Sequence, residues 1–167
     1  YLKWGDQCAA RLIGDFAFAI WDAKQQTLFC ARDHVGMRPF YYFYDQRVFA
    51  FSSDLEAITQ IQGVTDRLDE AEIERYLFSL NLPYYTVGTT FLANVRKLLP
   101  AHTLTLTRGS EPRINQYWYP EHIKPASYRT PQECAEQLLH VVETAVRDRI
   151  RTEYPVGAHF SGGVDSS

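Results

Sequence analysis

Hydrophobic and polar positions alternate with a period of two early in the chain. Phe16, Phe18 and Ile20 fall on one side of an extended segment, and Ala17, Ala19 and Trp21 on the other. Small alanines opposite large aromatics predict a strand packed on both faces. The polar stretch from Asp22 to Gln26 then turns the chain into Thr27–Ala31, the second arm of a hairpin. A second hairpin is predicted where the aromatic run Phe40–Tyr44 meets Asp45–Arg47 and returns through Val48–Phe51. Ahead of these, Cys8, Leu12 and Ile13 mark a short apolar helical face that Gly14 and Asp15 end.

The pattern then changes to helical spacing. Ser53 followed by Glu56 reads as a capping box for a helix through Ile61, and Asp69 followed by Glu72 repeats it for a helix through Leu80. Asn81 to Pro100 is punctuated by Pro83, Gly88 and Pro100 and reads as loop. His102–Thr107 alternates again as a strand. Pro112 to Tyr128 reads as linker, with Tyr117, Trp118 and Tyr119 pinning it to a domain surface. Thr130, Pro131 and Glu133 supply a cap, a first-turn proline and an acidic third position. Ala135, Leu139, Val142, Val146 and Ile150 then line one face of a helix that runs to about Arg151.

Composition narrows the functional classes. A chain of 167 residues with 46% hydrophobic and 14% aromatic content has room for a real core, in one domain or parts of two. A formal net charge of −3 offers nucleic acid no general attraction. No apolar run reaches membrane-spanning length, and the first residues do not read as a signal peptide. A cytoplasmic protein is expected. The three cysteines, Cys8, Cys30 and Cys134, are widely spaced, forming neither a disulfide framework nor a metal cluster, and are expected to be buried thiols. Arg32 and Asp33, between strands, read as a turn-fixing or ion-pair element, and His34 as a loop residue.

The candidate chemistry lies in the last residues. Val156–Phe160 reads as a short strand feeding Ser161-Gly162-Gly163-Val164-Asp165-Ser166. The two glycines let backbone N–H groups approach an anion, and the serines add hydroxyl donors. No lysine lies between Phe160 and Ser167, so this is not a Walker A loop and neutral donors would hold the phosphate.

Two sets of residues carry a resemblance. The loop resembles the pyrophosphate loop of the ATP pyrophosphatases, which implies ATP and Mg²⁺, with Asp165 near the metal and pyrophosphate and the His159 backbone on the adenine side. The segments Gly14–Asp22, Phe29–Asp33, Gly36–Tyr42 and Phe51–Asp54 resemble the later half of a class II glutamine amidotransferase domain. Their order in one chain resembles the asparagine synthetase family, as do Leu98–His102 and Tyr117-Trp118 between them. The resemblance implies part of an α+β Ntn-hydrolase αββα sandwich, followed by the first helix and strand of an α/β ATP pyrophosphatase domain. Residues 1–119 would be amidotransferase, 120–130 linker and 131–167 the start of the ATP domain.

The implied reaction is glutamine-dependent amidation of aspartate through an acyl-adenylate, with glutamine, aspartate and ATP as small-molecule partners and a homodimer compatible with the family. The family's nucleophilic cysteine and glutamine-binding segments are expected before Tyr1 and its acyl-adenylate residues after Ser167, so no catalytic residue is assigned within this stretch. Asp54 stands where the family often has glutamate, His159 and Phe160 replace an aliphatic pair, and Ala101 replaces a usual glycine. Two alternatives stay open: an ATP-dependent cyclase of the lasso-peptide or β-lactam synthetase type, and a non-catalytic interaction domain.

Overall fold

The alternating segments form strands because each puts one row of side chains against a neighbouring layer. In the computed structural model, which describes residues 1–78, 88–128 and 130–163, Ala17–Asp22 (β1) pairs antiparallel with Thr27–Arg32 (β2), Ala17 opposite Arg32 and Asp22 opposite Thr27. The Asp22 carboxylate closes the turn, accepting from the Lys24 and Gln25 amides at 2.9 and 3.0 Å. The second hairpin joins Tyr41–Tyr44 (β3) to Phe49–Ser52 (β4), and Asp45 closes it in the same way on the Arg47 and Val48 amides. Next come Leu55–Thr59 (α1), Glu70–Phe78 (α2), Val95–Lys97 (β5), His102–Thr107 (β6), Arg113–Gln116 (β7) and Pro131–Arg149 (α3).

The strands form two antiparallel sheets, one in the order β1-β2-β6-β7 and the other β4-β3-β5. One core cluster lies between them, where Cys30 and Leu104 of the larger sheet meet Phe40 and Leu98, with Ala17, Ala19, Tyr42 and Phe49 around them. On the other face of the larger sheet, Phe29 and Ala31 pack with Cys8 and Ala9 of a 3-10 helix, Gly5–Arg11, and with Phe16, Phe18 and Ile20. On the other face of the smaller sheet, Phe43, Ala50 and Val95 enclose Ile58 of α1. The strand β1 is therefore packed on both faces, as the alternation predicts, except that Trp21 is 55% exposed.

Several expectations need correction. The apolar face near Cys8 is a 3-10 helix, and Leu12 and Ile13 lie outside the core, Ile13 fully exposed. Asp54, not Ser53, caps α1 by accepting from the Glu56 amide at 2.8 Å, and α1 ends at Thr59 rather than Ile61. Asp69 caps α2 as expected, through the Glu72 amide at 3.1 Å; the expected extension through Leu80 lies outside the described residues. The stretch read as loop contains β5, whose three residues are too few to show a period and are held by pairing with β3. The segment read as linker contains β7, an edge strand of mainly exposed, polar residues that its backbone pairing with β6 defines.

The chain divides into two compact units, Tyr1–Ile123 and Lys124–Ser167. In the second unit, α3 starts where its signals place it, with the Thr130 hydroxyl accepting from the Glu133 amide at 3.1 Å and Pro131 in the first turn. The expected strand at Val156–Phe160 is not formed. A strand takes its hydrogen bonds from a neighbour, and the described part of this unit contains no other extended segment to pair with. Among the described residues, no helix is long and apolar enough to cross a membrane.

Candidate functional site

Beyond α3 the chain runs without regular structure to Ser161, Gly162 and Gly163, all exposed. Gly162 has φ +77°, the left-handed region that glycine enters without strain, and an added Cβ there would meet nothing within 4 Å. Its requirement is therefore conformational rather than steric. A left-handed residue turns successive backbone amides toward one side, the arrangement that receives an anion. His159 and Phe160 are exposed just before the loop, Phe160 at 77%. Val164, Asp165 and Ser166 lie outside the described residues, so only Ser161, Gly162, Gly163 and His159 of the expected site have a described geometry.

Among the described residues of the first unit two carboxylates are buried, and both are engaged in hydrogen bonds. Asp33 is 1% exposed and accepts from the amides of Val35 at 3.2 Å, Met37 at 2.9 Å and Arg38 at 3.0 Å. Burial alone would raise its pKa, but the surrounding amides outweigh that and hold it below the ordinary carboxylate value. Beside it, the Arg32 guanidinium donates to three backbone carbonyls, those of Arg38, Leu98 and Gly36, at 2.7, 2.6 and 2.7 Å. The pair fixes a turn, as expected, and the loop it fixes spans residues 33–40. Gly36 completes it: at φ +72° an added Cβ would sit 2.7 Å from Pro100 Cγ.

Glu72, 4% exposed, is the other buried carboxylate. Its oxygens are taken by the Arg75 guanidinium and by the Thr89 hydroxyl at 2.8 Å. Burial again pushes its pKa up, and the Arg75 and Thr89 hydrogen bonds bring it below the usual value. The capping-box pattern does not reveal this role; its sequence signal is the arginine three positions on, on the same helix face.

The cysteines divide. Cys8 and Cys30 are buried as expected, and burial pushes the Cys30 thiol up to about 12, which removes it as a nucleophile near neutral pH. Cys134 is exposed on α3, contrary to expectation, because no described residue of its unit covers that helix. Among the described residues no three His, Cys, Asp or Glu side chains converge as a metal site. They offer Mg²⁺ no ligand set, and Asp165, the residue expected beside it, is not among them.

Two family models match the chain. Residues 1–118 match the glutamine amidotransferase domain family. The chain belongs to that family. Residues 137–167, which contain the glycine-rich loop, match the asparagine synthase family. Over its whole length the chain is similar to asparagine synthetase [glutamine-hydrolyzing] 3 of Bacillus subtilis, 32% identical over 167 residues that make up 26% of that protein. It is likewise similar to a putative asparagine synthetase [glutamine-hydrolyzing] 2 of Methanocaldococcus jannaschii, at 34% identity and 32% of that protein's length. Amidase chry2 of Gibberella zeae is 30% identical over 171 residues, with 24% of its length covered. The chain thus spans about a quarter to a third of the length of these curated relatives.

Proposed function

We propose that the intact protein is an asparagine synthase that uses glutamine as nitrogen donor. The observation that carries this reading is the order of two matches in one chain, amidotransferase over residues 1–118 and asparagine synthase over residues 137–167. The two layers of sheet with α1 against the smaller one suit an Ntn-hydrolase αββα sandwich over residues 1–119. Residues 120–130 would then be linker, and α3 would open the ATP pyrophosphatase domain at 131–167.

In this reading glutamine and water give glutamate and ammonia. A carboxylate oxygen of aspartate attacks the α-phosphorus of ATP, and pyrophosphate leaves. Ammonia then attacks the acyl carbon, AMP departs, a proton is lost, and asparagine results. Within this chain the work belongs to the loop. The amides of Gly162, Gly163 and Val164 and the hydroxyls of Ser161 and Ser166 would receive the departing pyrophosphate, and the Asp165 carboxylate would hold Mg²⁺, which would offset the charge developing on that leaving group. The backbone at His159 lies on the adenine side. A cytoplasmic homodimer belongs to the same proposal.

A second reading takes the match over residues 137–167 as support for the ATP-dependent half alone: an ATP-dependent amide former with a different carboxyl acceptor, of which a cyclase is one form. Pyrophosphate release by the intact protein separates the two. Release that requires aspartate supports the synthase. Release that ignores aspartate and responds to another carboxylic acid supports the second reading, and no release with any acceptor would defeat both.

A further inference from the structure

We propose that the cleft between the β3–β4 and β6–β7 turns of the first unit binds a free α-amino acid with an apolar side chain. The site is built from the first unit alone, and the proposal does not rest on the synthase reading.

The cleft has a volume of about 550 Å³, within the range of small-molecule sites. Its apolar part is made by Val48, Phe49 and Leu106. Phe49 and Leu106 also pack against the core cluster between the sheets, and Phe49 stacks on Tyr42 with ring centroids 6.0 Å apart, so this wall is continuous with the core. Both turns are fixed. Asp45 accepts from the Arg47 and Val48 amides in one, and in the other the Ser110 hydroxyl donates to the Thr107 carbonyl at 2.8 Å. The Tyr44 hydroxyl, donating to the Ser110 carbonyl at 3.1 Å, joins one turn to the other. The cleft is therefore formed before a ligand arrives.

Its charged lining carries both signs. Arg47, Arg108 and Glu111 line the cleft and are exposed. Among the described residues their side chains make no hydrogen bond or salt bridge, whereas the neighbouring Asp45 carboxylate is committed to its turn. Two guanidiniums match a carboxylate, one carboxylate matches an ammonium, and the apolar wall matches a hydrocarbon side chain. A free amino acid carries those three features on one α-carbon. A fatty acid lacks the cation, an amine lacks the anion, and a polar amino acid lacks the apolar side chain.

The test is titration calorimetry of the intact protein with L-phenylalanine, 3-phenylpropionate, phenethylamine and L-serine. Phenylalanine should bind, and each of the other three should be weaker by about fivefold or more, the scale of one lost ion pair or apolar contact. Arg47→Ala and Arg108→Ala together should weaken phenylalanine about tenfold and leave the urea midpoint unchanged, since both side chains are exposed. Glu111→Gln should weaken phenylalanine about fivefold and leave 3-phenylpropionate unaffected, a selectivity that a loss of folding cannot imitate. Failure of phenylalanine to bind at about 10 mM overturns the site. So does binding that the arginine and glutamate substitutions leave unchanged, which would place the amino acid elsewhere.

Discussion

The two units of this chain respond differently to the same kind of signal. In Tyr1–Ile123 the apolar rows predicted from alternation meet one another, and three buried clusters result. In the second unit the helical row of α3 is equally clear in the sequence, yet no described residue beyond Ile123 is buried, and Leu138, Leu139 and Val142 stand 62%, 60% and 49% exposed. Local signals are sufficient to start a helix: a threonine cap and a first-turn proline require only neighbours in sequence. Burial requires a second surface. Periodicity therefore specifies an element and its apolar side, while stability comes from what that side meets.

Arg32→Ala should have the largest effect, because it strips three backbone carbonyls of a cationic donor in a closed turn and leaves buried Asp33 without its neighbouring charge. A loss of roughly 3–5 kcal/mol is expected. Urea unfolding followed by tryptophan emission measures it for the first unit alone, since Trp4, Trp21 and Trp118 all lie there. The paired substitution Leu104→Ala and Leu139→Ala puts the comparison at risk directly. Leu104 is 0% exposed between the sheets, and its truncation should cost about 2–5 kcal/mol. Within the 167-residue chain alone, Leu139→Ala is expected to change stability by no more than about 0.5 kcal/mol. Equal losses would mean that α3 is covered as fully as the sheets.

Legibility followed the range of the interaction. Both hairpins could be read because their alternation and turn carboxylates are local, and α3 because its cap is local. The strands β5 and β7 could not, because pairing with β3 and β6 defines them and their own residues show no period. The expected strand at Val156–Phe160 failed for the complementary reason: it has a suitable sequence and no strand to pair with among the described residues. Of the candidate site, Gly162 stands at φ +77°, while the triple donation by Arg32 depends on Leu98, 66 residues away, and is invisible locally.

Two smaller effects sharpen the contrast. Thr130→Ala removes the cap of a helix that depends on local signals, and should cost α3 about 1 kcal/mol, read as faster amide exchange in its first turn. Ala101 occupies φ +59° while 3% exposed, with its amide on the Asp33 carbonyl and its carbonyl receiving the Tyr117 amide. An L-residue is strained there, so Ala101→Gly should stabilise the first unit by about 0.5–1 kcal/mol, seen as a higher urea midpoint.

The most direct test of the functional account is to give the intact protein glutamine labelled with ¹⁵N in its side-chain amide, together with aspartate, ATP and Mg²⁺, and to follow the label by NMR. The account predicts ¹⁵N in the asparagine side chain, with AMP and pyrophosphate formed in equal amounts to asparagine. Glutamate production without labelled asparagine, or consumption of ATP to ADP and phosphate, would contradict it.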